Sequence, residues 1–167
     1  MSLSLHAASV PALVRQLGAM LTWLDKAQAH AEARKFDPNN YLGLRLAPDM
    51  LPFTRQIQIA ADFAKGCVAR LAGQEVPKWD DNEASLDDLR ARIRKTIDYV
   101  QSVPAAQIDG SEARAIVLPM RVGDPLHFTG QDYLTQFVLP NFYFHASTAY
   151  ALLRNAGVEV GKRDFLG

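Results

Sequence analysis

Four histidines are the side chains of this chain best suited to acid–base or metal chemistry. They are spread over the whole sequence: His6, His30, His127 and His145. A divalent ion in a helical bundle needs ligands that converge from facing helices, typically with two of them one turn apart on one helix. No two of these histidines lie three or four residues apart, so their spacing predicts no such pair.

His145 is the most suggestive of the four. It closes the aromatic run 141–145, Asn-Phe-Tyr-Phe-His, and shares a helical face with Asn141. A buried imidazole needs hydrogen-bond partners, which Asn141, Gln56, Gln58 or a backbone carbonyl can supply. Two interpretations stay open: a core or interface histidine satisfied by such a partner, and a ligand or acid–base group.

Asp62 and Tyr143 complete the candidate side chains. Asp62 falls near an apolar helical arc, where a carboxylate requires a cation or several donors. A nearby arginine or lysine can supply the charge, and so can His145, with which Asp62 would make a sensible acid–base pair. Tyr143 belongs to an aromatic row that either packs in the core or lines an apolar pocket. The candidate pocket residues are therefore His145, Asn141, Gln56, Asp62 and Tyr143.

Composition and missing motifs exclude several classes of function. The chain has no Walker loop, no dinucleotide-binding glycine pattern, no paired-cysteine zinc motif and no Gly-x-Ser-x-Gly. The 18 Lys and Arg balance the 18 Asp and Glu, so no long-range field attracts nucleic acid or anionic lipid. The single cysteine, Cys67, cannot form an intramolecular disulfide and is expected to be a buried apolar group.

We expect a cytoplasmic protein with no nucleic-acid or membrane partner. Residues 1–10 lack the basic and apolar parts of a signal peptide. No run approaches the roughly 18 consecutive apolar residues that a membrane span requires.

The elements that must position these residues follow from apolar spacing. The chain has 167 residues, 49% of them hydrophobic, which fits one domain over 1–167. Helical spacing predicts four long segments, and strand-like alternation predicts a short hairpin between the third and fourth. The helices are expected over residues 10–31, 50–71, 86–100 and 141–155, and the hairpin over 114–128. The predicted fold is all-α, an antiparallel four-helix bundle with a short β-hairpin between helices 3 and 4.

Local signals set the expected ends of these elements. Ser4 or Ser9 can cap the first helix, and Asp49 is the predicted cap of the second. Ser85 is the predicted cap of the third, whose arginines should form a solvated, charge-paired face. Pro140 is expected either to kink the fourth helix or to begin a new one.

Four stretches of the sequence carry a resemblance to a known family. They are 45–50 (RLAPDM), 62–66 (DFAKG), 140–145 (PNFYFH) and 161–167 (GKRDFLG). With these stretches the whole chain resembles an uncharacterised bacterial branch, a domain of unknown function, of the DinB/YfiT-like four-helix-bundle superfamily. The resemblance implies that fold and a homodimer, with the helices near 5–31 or 137–153 as candidate surfaces.

The resemblance also bears on metal binding. In better-known relatives, one histidine on the second helix and two histidines one turn apart on the fourth hold a divalent metal. Only His145 matches that pattern here, and amides or carboxylates bind zinc or nickel more weakly than imidazole does. The resemblance therefore predicts no tight metal and no cofactor, with His145 as the one weak metal candidate.

Two functions from different classes follow. The first is a non-enzymatic binding or interaction module for a small apolar or amphipathic ligand, or for a protein partner, near His145. The alternative is a degenerate metal-dependent hydrolase or transferase that uses His145 with Asp62, Gln56 or Asn141. Whether the protein is an enzyme is left open between them.

Overall fold

The structure is a computed structural model that describes residues 3–120 and 122–167. The domain predicted over 1–167 also includes residues 1, 2 and 121, which lie outside the described part. The helices are α1 (Leu5–Arg34), α2 (Phe53–Leu71), α3 (Leu86–Ser102), α4 (Ala105–Ile108), α5 (Gly130–Asp132), α6 (Leu139–Asn155) and α7 (Lys162–Leu166). The strands are β1 (Ala115–Leu118) and β2 (Leu126–Thr129), with a 3-10 helix at Pro38–Gly43 and a π-helical turn at Tyr133–Val138.

The four long helices form the predicted bundle. The helix α2 packs against α3 and α6, and α1 packs against α3, α6 and α7. The largest side chains between them are fully buried, among them Trp23, Phe53, Tyr133 and Phe142. Burial of one apolar face per helix therefore holds the bundle together. No helix within the described residues is both long and apolar enough to cross a membrane.

The first helix begins before the apolar pattern does. Ser4 caps it, because its hydroxyl accepts a hydrogen bond from the Ala7 amide at 3.2 Å. The helix therefore begins at Leu5, more than one turn before Val10, and contains Pro11. It ends where Lys35 adopts the left-handed conformation at φ 60°.

The second helix starts later than predicted, so the assignment of Asp49 as its cap is wrong. It begins at Phe53, with Pro52 in the capping position. The Phe53 amide donates to the Leu44 carbonyl at 2.8 Å, which closes the preceding segment into a loop that excludes helical hydrogen bonding there.

The fourth bundle helix is reached through an irregular turn. Thr129 caps α5 by accepting from the Asp132 amide at 3.2 Å, and the π-helical turn then leads into α6. Pro140 lies in the first turn of α6, where its missing amide hydrogen is tolerated. Val138 and Leu139 keep right-handed helical dihedrals, so the helical path continues through the π-helical turn into α6.

The hairpin lies between α3 and α6, as predicted. Its strands are antiparallel, with Ile116 opposite Phe128 and Leu118 opposite Leu126. Ile116 and Leu118 are buried, which attaches β1 to the bundle through one face.

The arginine face of α3 differs from the prediction of a solvated surface. The Arg92 side chain is only 2% exposed and bonds to Asp62 at 3.0 Å, Asp81 at 2.9 Å and Glu83 at 2.8 Å. These carboxylates come from α2 and from the loop before α3, so the arginine ties that loop to the bundle. Trp79 of the same loop lies between Lys65 and Lys95, with each ammonium about 4.5 Å or less from its ring centre.

Close packing at the start of α5 requires a glycine at position 130. A Cβ atom on Gly130 would collide with the Ser111 backbone carbonyl, whereas one on Gly18 in α1 would meet nothing. We predict that Gly130→Ala lowers the free energy of unfolding by about 1–3 kcal/mol through overpacking. We predict that Gly18→Ala raises it by about 0.5–1 kcal/mol by favouring the helix. Urea unfolding followed by circular dichroism measures both, and an undiminished stability in Gly130→Ala would contradict the packing.

Candidate functional site

His145 on α6 and Gln56 on α2 form a hydrogen-bonded pair across the bundle. Nδ1 of His145 lies 2.7 Å from Oε1 of Gln56, whose own Nε2 donates to the Leu51 carbonyl at 2.9 Å. Because the amide nitrogen of Gln56 is bound to that carbonyl, its oxygen faces the imidazole, which donates from Nδ1. The acceptor lone pair of the neutral ring is then on Nε2.

The surroundings of His145 favour the neutral form of its ring. Burial and the positive charge of Arg55 hold the pKa of His145 below its ordinary value. Phe63 stacks on the imidazole with ring centres 6.0 Å apart, and Phe144 approaches it edge-on at 5.1 Å. A neutral histidine anchored at one nitrogen can accept a proton or hydrogen bond at the other.

The donor set around His145 does not fit the trio that holds metal in the DinB-like relatives. Asn141, one turn earlier on α6, donates its amide to the Phe137 carbonyl at 2.7 Å. Gln56 is engaged with Nδ1 of His145, so one imidazole and two amides stand where three imidazoles are needed. Among residues 3–120 and 122–167, no three His, Cys, Asp or Glu side chains cluster as a metal site would require. The absence of a tight metal stays a prediction.

Asp62 is bound to cations rather than to His145. Its carboxylate lies 2.7 Å from the Lys65 ammonium and 3.0 Å from Arg92. Lys65 and Arg92 are themselves almost fully buried, so Asp62 balances charge that would otherwise be costly. The Asp62 carboxylate is thus accounted for by its ion pairs with Lys65 and Arg92, and the described residues show no pairing of Asp62 with the imidazole.

Tyr143 lies two residues before His145 and borders a different region of the surface. It lines a cavity of about 500 Å³ between α1, α6 and α7, here called the Gln16 pocket. The polar lining residues are Arg15, Gln16 and Tyr143. The apolar lining residues are Ala7, Pro11, Ala12, Phe165 and Leu166. The five predicted candidates are therefore dispersed: His145 and Gln56 form a pair, Asp62 belongs to the Arg92 ion-pair network, Tyr143 lines the Gln16 pocket, and Asn141 bonds to the Phe137 carbonyl.

Gln16 is the polar residue that the sequence analysis missed. It is 5% exposed, and its Nε2 has no hydrogen-bond partner among the residues that the structure describes. Helical spacing could have identified it, because Gln16 shares the core-facing side of α1 with Leu13, Leu17 and Met20, all three fully buried. A polar residue in that arc needs a partner.

The outer wall of the pocket is the short helix α7. Phe165 stacks on Trp23 with ring centres 5.6 Å apart, and the Trp23 indole donates to the Asp164 carbonyl at 2.8 Å. Lys26 forms an ion pair with the Asp164 carboxylate at 2.7 Å. These contacts hold α7 against α1 and so give the cavity its depth.

The electrostatics of the pocket are set by Arg15. This residue is exposed, and its positive charge opposes the rise that burial causes in the pKa of Tyr143. Arg15 and Tyr143 both line the pocket. Arg15, the Gln16 amide nitrogen and the Tyr143 hydroxyl all offer hydrogen atoms, and the lining contains no carboxylate.

Comparisons with known proteins agree on family and fold. The family model described as "Domain of unknown function (DUF1993)" matches residues 5–166. A solved structure described as a DinB family member protein from Shewanella denitrificans is similar to this chain, with 40% identity and a TM-score of 0.87. The match covers 98% of this chain and 92% of that one. No curated protein matches the chain. The resemblance and fold proposed from the sequence are confirmed.

The environment of His145 predicts a measurable change on removing the Arg55 charge. We expect Arg55→Gln to raise the pKa of His145 toward its ordinary value, because a neighbouring cation disfavours the imidazolium. The control is Arg94→Gln, an equal charge change at an exposed position of α3. NMR titration of the imidazole resonances measures both variants.

The same shift makes stability depend on pH. The unfolded imidazole takes up a proton at a higher pH than the folded one, so stability should fall as the pH drops through the ordinary histidine range. An imidazole that titrates at or above its ordinary pKa in the folded protein would refute the proposed environment.

Proposed function

The chain belongs to the DUF1993 family, whose domain has no known function, and from that premise we propose that it binds a small amphipathic molecule. The proposed site is the Gln16 pocket. The observation that carries the proposal is the amide of Gln16, a buried donor that lines a cavity and has no partner in the described protein.

An unsatisfied buried amide is costly to keep. Leaving such a donor unpaired costs about 1–3 kcal/mol, which replacement by an apolar side chain of similar shape would remove. A glutamine at a core-facing position of α1 therefore suits a protein in which a ligand completes its hydrogen bonding. Because Nε2 is itself shielded from solvent, its contact with a ligand requires the terminal amide to turn about its broad torsion.

The remaining lining supports an amphipathic ligand rather than a fully polar one. Pro11, Phe165 and Leu166 provide apolar surface beside the polar group of Arg15 and Tyr143. Pockets of this kind bind through apolar area and use a few placed polar groups for orientation.

The alternative of a degenerate metal-dependent hydrolase or transferase has less support. It would use His145, whose Nδ1 is already hydrogen-bonded to Gln56, and the described part of the chain contains no group of three His, Cys, Asp or Glu side chains that could hold a metal. The homodimer implied by the resemblance stays a proposal. Both of its candidate surfaces border the Gln16 pocket, so binding should be measured together with sedimentation.

Removing the unpaired amide should stabilise the protein. We predict that Gln16→Met raises the free energy of unfolding by about 1–3 kcal/mol, because the side chain keeps its shape and loses the unsatisfied donor. The matched control is Gln28→Met on the same helix, where the amide already donates to Glu32 at 2.7 Å. Urea unfolding of both variants gives the comparison, and a destabilised Gln16→Met would mean that the amide is bonded in the unliganded protein.

Binding itself is tested by NMR chemical-shift mapping with three amphiphiles that share one tail: octanoate, octan-1-ol and octylammonium. We expect at least one of them to cause saturable shifts centred on residues 7–16, 143 and 165–166. Sedimentation of the same samples reports whether binding changes the assembly. Shifts that never saturate, or that map to another face for all three compounds, would reject the Gln16 pocket as a binding site.

A further inference from the structure

We propose, resting on the proposed function, that the ligand of the Gln16 pocket is a small carboxylic acid with a short apolar tail. Its carboxylate would lie between Arg15 and the Gln16 amide, and its tail along Pro11, Phe165 and Leu166. The juxtaposition behind this assignment is found in the lining of one cavity, which among the described residues combines a guanidinium without an ion pair, a buried amide with an unpaired nitrogen, a phenol and several apolar side chains.

The polar side chains of the pocket lining suit a negatively charged group with several hydrogen-bond acceptors. Arg15, Gln16 and Tyr143 can all donate hydrogen bonds, and none of the eight lining residues is acidic. A carboxylate presents two coplanar oxygens, which a single guanidinium binds in a bidentate manner. The Gln16 amide then supplies a donor to one of the same oxygens.

Arg15 is free to make this contact. Within residues 3–120 and 122–167 it takes part in none of the ion pairs, which engage Lys26, Arg55, Lys65, Arg90 and Arg92. Most other cations that approach the core of this protein are matched by carboxylates, whereas this one faces a cavity without an acid.

The charge around the mouth of the pocket also favours an anion. Arg15 borders a second groove together with Arg163 and Asp164. The Asp164 carboxylate is already neutralised by Lys26 at 2.7 Å and by the Gly161 amide at 2.8 Å. Asp164 is therefore already paired with a cation and does not compete with an anion for Arg15.

The size of the cavity limits the length of the ligand's apolar tail. The cavity is about 500 Å³ and is closed on its outer side by α7, which Phe165 and Asp164 attach to Trp23 and Lys26. An unbranched chain of a few methylenes can lie against Pro11 and Leu166 while its head remains at Arg15.

The experiment compares head groups on the wild-type chain and on three variants. Dissociation constants for octanoate, octan-1-ol and octylammonium are measured by NMR titration at neutral pH. Wild type should bind octanoate at least about tenfold more tightly than octan-1-ol, because a charge-assisted hydrogen bond is stronger than a neutral one. Arg15→Gln should lose about tenfold for octanoate and leave octan-1-ol nearly unchanged.

Two further variants serve as controls: one removes a charge outside the pocket, and the other keeps the charge of residue 15 but changes the shape of its side chain. Arg163→Gln makes the same charge change in the neighbouring groove and should alter octanoate binding by no more than about twofold. Arg15→Lys keeps the charge but loses the planar fork, so its affinity should lie between wild type and Arg15→Gln.

Across butanoate, hexanoate and octanoate, the affinity should rise about threefold to fourfold for each added methylene that is buried.

The outcomes distinguish this inference from the proposed function. If octan-1-ol or octylammonium binds as tightly as octanoate, or if Arg15→Gln binds octanoate like wild type, the carboxylate assignment is wrong and the pocket still binds amphiphiles. If none of the three compounds binds at the Gln16 pocket, both the inference and the proposed function fail.

Discussion

A polar side chain buried in a helical bundle must find a hydrogen-bond partner or remain at a cost, and this constraint distinguishes three buried side chains of the chain. Gln56 meets it by bonding to His145 and to the Leu51 carbonyl. Arg92 meets it in part: its two terminal nitrogens bond three carboxylates, whereas its Nε is unpaired within the described residues. The amide nitrogen of Gln16 is also unpaired there, and the Gln16 side chain lines a cavity. We therefore assign the first two to the scaffold and the third to a binding site.

The chain shares its fold with a DinB family member at 40% identity. In this chain His145 on the fourth long helix is hydrogen-bonded to Gln56 on the second, and that bond joins the two helices. The proposed function is located elsewhere, at the opposite side of α6 beside Tyr143.

Local chemistry made much of the fold predictable. The caps at Ser4 and Ser85, the alternation in the hairpin and the helical apolar spacing all act over a few residues, and the structure shows each of them. The start of α2 and the burial of Arg92 were not predictable, because each depends on partners distant in sequence. For the site, Gln56 was foreseen as a partner of His145. Gln16 lay visibly in an apolar arc, but only the packed structure shows that nothing pairs with it.

The central claim is most directly tested by the side-chain amide of Gln16 itself. Its two amide protons can be followed by NMR while octanoate is added to the protein. If a ligand completes the hydrogen bonding of Gln16, one of the protons should move downfield and exchange more slowly with solvent as the pocket fills. A resonance that is already downfield and protected without octanoate, and that stays unchanged at saturation, would show that the amide has its partner within the protein.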